Sequence, residues 1–270
     1  MKPSGPAPLL VLLSALLLPA MGGGVEIIGH RGASHDAPEN TLASFRLCWE
    51  QQADAGELDI HLSRDGEAVV IHDGATKRVT GVDKPVVQQT REELQAQDAG
   101  RWKDPKFAGE KIPLLSEVLA LIPEGRRMFL EIKCGPEALG AIEKAMQKSG
   151  RKAQQFVIIG FNHATMKAAK KRFPKLPVLW LVSHAADKTT GQFPDLDRLI
   201  SQAKEAGLDG LDLEYKFPLD AAAVAKTKAA GLQLFVWTVN EAAAAQALAR
   251  AGVDGITTDR PAWLREQLRH

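Results

Sequence analysis

Apolar residues in this chain fall in short continuous runs separated by longer amphipathic stretches. The runs are VEIIG (25–29), ELDIHL (57–62) extended by AVVIH (68–72), RMFLEIK (127–133), FVIIGF (156–161), PVLWLVS (177–183), DGLDLE (209–214), LQLFVWTV (232–239) and DGITT (254–258). Between them, apolar residues at helical spacing predict helices over 40–55, 114–121, 136–149, 163–172, 195–206, 219–230, 241–251 and 261–269. Continuous Val, Ile and Leu runs mark strands buried on both faces, as in a parallel sheet. Ala-Gly pairs at 55–56, 206–207, 230–231 and 251–252 punctuate the approach to strands, as a glycine past a helix C-terminus does. Eight strand–helix units predict an α/β chain folded as a (β/α)8 TIM barrel. The rival, a doubly wound sheet, is disfavoured because no glycine-rich phosphate fingerprint follows a strand.

One connection departs from this rhythm. From Asp73 to Pro113 the chain passes through TGVDKP and DAGRWKDPKFAGEKIP before its next clear helix. A loop of that length is usually a lid or a small insertion, so an insertion is expected over about 74–113, after strand 2. The N-terminus departs too. Lys2, the apolar run LLVLLSALLL (9–18) and the small residues Ala20 and Gly22 fit a cleaved secretory signal over 1–22. The run is too short to span a bilayer, which takes about 20 apolar residues. The expectation is a barrel over 25–270, exported to the periplasm or secreted, with no stable membrane insertion after cleavage.

The 270 residues are 45% hydrophobic with a net charge of +1, a balance that supports one full-sized domain. Near-neutral charge without a Lys/Arg run argues against a nucleic-acid partner. Cys48 falls on the apolar stripe of the first helix and Cys134 ends a strand. Two buried free thiols are therefore expected rather than a disulfide.

In a barrel, functional side chains project from the C-terminal ends of strands. His30 and Arg31 follow strand 1, and His72-Asp73 end the continuation of strand 2. Glu57 and Asp59 are two apart on strand 2 and so share a face, as do Glu131 and Lys133 at the end of strand 3. Glu57, Asp59 and Glu131 then converge as an all-oxygen cluster. Such carboxylates repel unless a cation neutralises them, and hard oxygen ligands select Mg2+ or Ca2+. The plainer reading is an ion-pair network with Arg31 and Lys133. Asp259, before Arg-Pro, reads as the N-cap of the last helix, and Asn40-Thr41 as caps of the first. His61 shares the Glu57/Asp59 face and is expected at the rim.

HRG (30–32), PENT (38–41), ELD (57–59), HD (72–73) and EIK (131–133) together resemble the glycerophosphodiester phosphodiesterase family. GEKIPLLSEVL (109–119), VWTVN (236–240) and GVDGITTDRP (252–261) extend the likeness from about residue 25 to 262. The resemblance implies a barrel with an insertion after strand 2. It also implies metal-dependent hydrolysis of a small glycerophosphodiester to glycerol 3-phosphate and an alcohol. By that likeness His30 and His72 form the catalytic pair, Glu57, Asp59 and Glu131 hold the metal, and Arg31 contacts phosphate. Lys133 can add a point charge and Trp237 a wall on the glycerol side, unless the indole is simply core. Two rivals stay open. One is a phospholipase-D-like barrel acting on lysolipids, which a long apolar loop at the mouth would favour, although none of the loops after strands 4–8 is markedly apolar. The other is a non-catalytic periplasmic binding barrel.

Overall fold

The computed structural model describes residues 24–269. The signal segment expected over 1–22 lies outside the described residues. Among those described, no helix is long and apolar enough to cross a membrane.

Eight strands close a parallel barrel: β1 (Glu26–Gly29), β2 (Ala55–Leu62), β4 (Arg127–Ile132), β5 (Phe156–Gly160), β6 (Val178–Val182), β7 (Gly210–Glu214), β8 (Gln233–Trp237) and β9 (Gly255–Thr258). Each pairs in parallel with its sequence neighbour, and β1 closes the ring by pairing with both β2 and β9. The extra strand β3 (Ala68–Val70) returns antiparallel along β2, so His72 and Asp73 sit in the loop beyond it rather than on a strand.

Helices α1 (Leu42–Glu50), α4 (Leu115–Leu119), α5 (Leu139–Ser149), α6 (His163–Arg172), α7 (Leu196–Glu205), α8 (Ala221–Ala229), α9 (Ala242–Ala251) and α10 (Pro261–Gln267) surround the ring. Helix α1 is shorter than its pattern suggested, because Asn40 and Gln52 on either side of it adopt φ 60° and 58°. Of the four Ala-Gly pairs, three place glycine in the left-handed conformation just past a helix. Gly56 is the exception. It lies within β2, opposite Gly29 and Met128.

The core has two layers, as alternation along buried strands requires. One set of residues packs the strands against the helices. The other, including Ile28, Phe129, Val157, Ile159, Leu179, Leu181 and Phe235, fills the barrel interior. Phe129 and Phe235 meet edge-on with centroids 5.2 Å apart, and the Arg127 guanidinium, paired with Glu26, covers both rings.

The connection after β3 is more structured than a loop. It holds the short helices α2 (Lys77–Thr80) and α3 (Arg91–Gln95) around a small core of its own. Val69, Ile71, Val79, Val86, Leu94, Ala99, Ile112 and Leu114 make that core. Helices of four and five residues are too short to leave a 3.6-residue pattern, which is why the sequence showed only a gap. Helix α3 still carries a capping box, Thr90 with Glu93.

Candidate active site

The mouth of the barrel is built from strand ends. At the end of β1, Gly29 and Gly32 let the chain turn tightly over α1. A Cβ on Gly32, whose φ is +86°, would lie 2.4 Å from Ser44 Oγ, and one on Gly29 2.4 Å from Cys48 Sγ. This turn throws His30 and Arg31 into the mouth. Arg31 takes φ 53°, fixed by its backbone N–H donating to Glu57 Oε2 (2.9 Å) and its carbonyl accepting from Ser44 Oγ (2.8 Å).

His30 Nδ1 lies 2.7 Å from Asp259 Oδ1. Asp259 is not a helix cap. Arg260 occupies the cap position of α10, and the Asp259 carboxylate instead gathers His30, Ser34 Oγ (2.9 Å) and Asn240 Nδ2 (2.6 Å). Burial pushes the Asp259 carboxyl up, but the hydrogen bond and charge of His30, with Asn240 and Ser34, hold it well below the usual range. His72 is backed in the same way, its Nδ1 2.7 Å from Asp73 Oδ1. The Arg78 guanidinium, donating to Asp73 at 2.7 Å, holds that carboxyl down at about 2. Burial outweighs the nearby Asp59 and Asp73 and lowers the His72 pKa. His61 is not at the cavity. Its Nε2 lies 3.1 Å from the His72 carbonyl and braces that loop from behind.

Glu57, Asp59 and Glu131 are all buried, and one oxygen from each lies within 4.8 Å of the others. The register explains the convergence: β2 and β4 pair Asp59 with Glu131, and Glu57 is two residues back on the same face. Glu57 Oε1 and Asp59 Oδ1 have no hydrogen-bond partner among the described residues. Burial, then the charges of Asp59 and Glu131, push Glu57 well above its ordinary value. Burial and the Asp59 charge lift Glu131 to about 7. Asp59 is held down, against burial, by the Arg31 and Lys133 charges. Orphaned buried oxygens on crowded carboxylates are what a hard divalent cation satisfies, so the residues fit one. Lys133 Nζ, 2.8 Å from Glu131 Oε1 and 3.4 Å from Asp59 Oδ1, supplies part of the positive charge, as does Arg31 Nε, 3.4 Å from Asp59 Oδ2.

Several contributors were missed by the sequence reading. Asn40 does not cap α1. Thr41 does, while Asn40 Nδ2 donates to Asp59 Oδ2 at 2.8 Å. Glu39 accepts from Arg31 (2.9 Å) and, through both oxygens, from Arg78 of the insertion (2.8 Å each). Arg78 thereby ties the PENT turn to the Asp73–His72 pair. Asp212, inside an apolar run, also reaches the mouth.

A cavity of ≈ 180 Å³ occupies the centre. His30, Arg31, Glu57, His72, Glu131 and Lys133 line one side, and Ile159, Phe161, Leu181, Asp212 and Trp237 the other. Trp237 is at the cavity rather than in the core. Its Nε1 donates to the Asp212 carbonyl (3.0 Å), and Phe161 meets it edge-on at 5.4 Å.

A closed parallel barrel gathering acids, imidazoles and guanidinium at its C-terminal mouth is the arrangement of a barrel enzyme handling a small phosphate-bearing molecule. Residues 30–263 match the Glycerophosphoryl diester phosphodiesterase family, and the chain belongs to that family. It is 35% identical over 242 residues to a glycerophosphodiester phosphodiesterase of Caldanaerobacter subterraneus, a match covering 87% of this chain and 94% of that protein. An Oleispira antarctica phosphodiesterase, solved in complex with the product sn-glycerol-3-phosphate, shares the fold with a TM-score of 0.81. That match has 28% identity and covers 92% of this chain and 98% of the other. A glycerophosphodiester phosphodiesterase of Thermotoga maritima gives a TM-score of 0.72 and 27% identity over 90% of this chain and 98% of its own.

Proposed function

We propose that this enzyme hydrolyses glycerophosphodiesters to glycerol 3-phosphate and an alcohol, using a divalent cation, Ca2+ or Mg2+, and two histidines of opposite role. The observation that carries the reading is the convergence, around one cavity, of three buried carboxylates, two carboxylate-backed imidazoles and the Arg31 and Lys133 cations.

Glu57, Asp59 and Glu131 would hold the cation, which when bound would supply charge neutralisation at the reacting phosphate. Arg31, always charged and fork-shaped, takes a second phosphate oxygen, and Lys133 adds a point charge. His30 acts as base. With Nδ1–H donating to Asp259, its Nε2 is bare and can accept a proton from water. His72 acts as acid and gives a proton to the leaving alcohol oxygen. The assignment follows from what balances each carboxylate. Arg78 neutralises Asp73, whereas Asp259 accepts only from the neutral donors Ser34 and Asn240 besides His30. The carboxylate without a cation of its own is left to balance the charge that His30 gains when it takes a proton. Trp237 walls the glycerol side.

The test follows release of choline from glycerophosphocholine and from lysophosphatidylcholine, with and without excess chelator. Release from the first substrate, abolished by chelator, is expected. Undiminished turnover in chelator refutes the metal mechanism, and turnover of the lysolipid alone refutes the substrate class. Leaving groups separate the histidines, because a nitrophenolate departs without a proton. His72→Ala should lose far less on an aryl diester than on glycerophosphocholine, and His30→Ala should lose about 10²–10⁴-fold on both. Equal losses on both substrates by both variants refute the division. We further propose export, on the strength of residues 1–22. A cell-associated protein retaining Lys2 in its mass spectrum argues against it.

A further inference from the structure

Asp212 is a buried acid that neither the cation nor the two histidines use. It faces the barrel interior on β7, in register between Leu181 of β6 and Phe235 of β8, a position an apolar residue would otherwise fill. It is 1% exposed, and its Oδ1 has no hydrogen-bond partner among the described residues. No Lys or Arg pairs with it there either. A buried polar group left unpaired costs folding stability and calls for an explanation. Here the explanation is next to it, because Asp212 borders the central cavity, on the side away from the histidines.

We propose that Asp212 is a specificity-determining residue that hydrogen-bonds a hydroxyl of the substrate's glycerol arm. The inference rests on the function proposed above and names the group that reads the part of the substrate common to all glycerophosphodiesters. A three-carbon polyol needs an apolar surface for its carbons and a polar partner for its hydroxyls. Trp237, Leu181 and Ile159 supply the surface, and Asp212 is the carboxyl set among them. The indole is anchored to this same residue, through Nε1 donating to the Asp212 carbonyl, so wall and partner are held together. A hydroxyl both donates and accepts, so it pairs with the carboxyl in either protonation form. The cavity, at ≈ 180 Å³, suits the invariant three-carbon arm rather than a head group of variable size.

The test uses two diesters with the same 4-nitrophenyl leaving group, one carrying glycerol and the other propanol on the second ester oxygen. Wild-type enzyme should favour the glyceryl diester. In Asp212→Leu, kcat/KM on the glyceryl diester should fall about 10–100-fold while the propyl diester changes little, because a site built for a hydroxyl discriminates by the unpaired group. Asp212→Asn, which keeps a hydrogen-bonding group, should retain more of the preference than Asp212→Leu. Urea denaturation of both variants should show stability no lower than wild type, since the removed carboxyl has no partner. An equal loss on both diesters, or a preference unchanged in both variants, overturns the proposal. Wild-type enzyme inactive on both diesters and on glycerophosphocholine is instead a failure of the function itself.

Discussion

Asp259→Asn separates an orienting carboxylate from a merely structural one. The carboxylate only accepts, and three side-chain donors converge on it: His30 Nδ1 and Ser34 Oγ on Oδ1, and Asn240 Nδ2 on Oδ2. Asn240 cannot turn its amide over, because its Oδ1 already accepts from Thr258 Oγ1 (2.9 Å) and the Asp259 N–H (3.0 Å). An asparagine at 259 must therefore aim its NH2 at the Asn240 NH2 or at His30. The first orientation opposes two donors across a 2.6 Å contact. The second donates to His30 Nδ1 and drives the ring proton to Nε2, the nitrogen that must be bare in a base. Loss of general-base action lowers kcat/KM by about 10²–10⁴-fold. Loss of a charge-assisted hydrogen bond destabilises by about 1.5–3 kcal/mol. The sign with pH follows from the depressed pKa of Asp259. Its contribution is present above the unfolded value of about 3.9 and is lost as pH falls through the lower folded value. In urea denaturation the gap between variant and wild type should be full at pH 7 and close below about pH 4. Activity within a few-fold of wild type, or a stability gap indifferent to pH, refutes the orienting role.

Other consequences are equally accessible. Glu131 is an acid raised from 4.5 to about 7, so its effect on stability is fully favourable below pH 4.5 and lost as pH rises through about 7. At about 1.4 kcal/mol per pH unit this is about 3 kcal/mol of decline in the chelated protein, and it should shrink in Glu131→Gln, where the raised Glu57 still contributes a decline of its own. A pH-independent urea midpoint in chelator refutes it. Asn40→Ala removes the hydrogen bond that orients Asp59 and should weaken Mg2+ or Ca2+ binding about 10–100-fold by calorimetry, with unchanged affinity as the contrary result. Cys48 and Cys134 are free, and burial pushes the Cys48 thiol up to about 12. Alkylation read by mass spectrometry should spare Cys48 in the native protein at pH 8 and label both thiols in unreduced denaturant. Labelling of neither in denaturant means a disulfide.

Which parts of this site could be read from the sequence depends on the distance over which each is specified. Glu57 and Asp59 share a face because a strand has period two, and Glu131 joins them because consecutive strands of a barrel are neighbours. Both facts are local, so the carboxylate cluster was legible, and with it the alternation that gives the barrel. Asn40 and Asp259 were legible only as polar residues before a helix, the setting of a cap. Their actual partners, Asp59 on β2 and His30 just past β1, are far along the chain from them. Arg78 and Glu39 are 39 residues apart, joined by an insertion whose short helices leave no periodic trace. Asp212 was hidden differently. Surrounded by Leu and Gly, it scored as one more position in a buried strand, and only the unpaired oxygen sets it apart.

The His30–Asp259 pair shows what closure adds. These residues are 229 positions apart, near opposite ends of the described chain, and nothing in the spacing between them encodes a contact. The contact comes from the ring closing. β1 and β9 are the first and last barrel strands, and their register sets Gly29 opposite Thr258. One residue further along each strand stand His30 and Asp259, just where the two strands leave the sheet. The His30 N–H still donates to the Thr258 carbonyl at 2.9 Å, which keeps the two chain ends in step through that last position. A one-residue slip in the closing pair would turn the buried faces of β1 inside out, so core packing forbids it. The packing that fixes the closure register therefore also sets the imidazole beside its carboxylate.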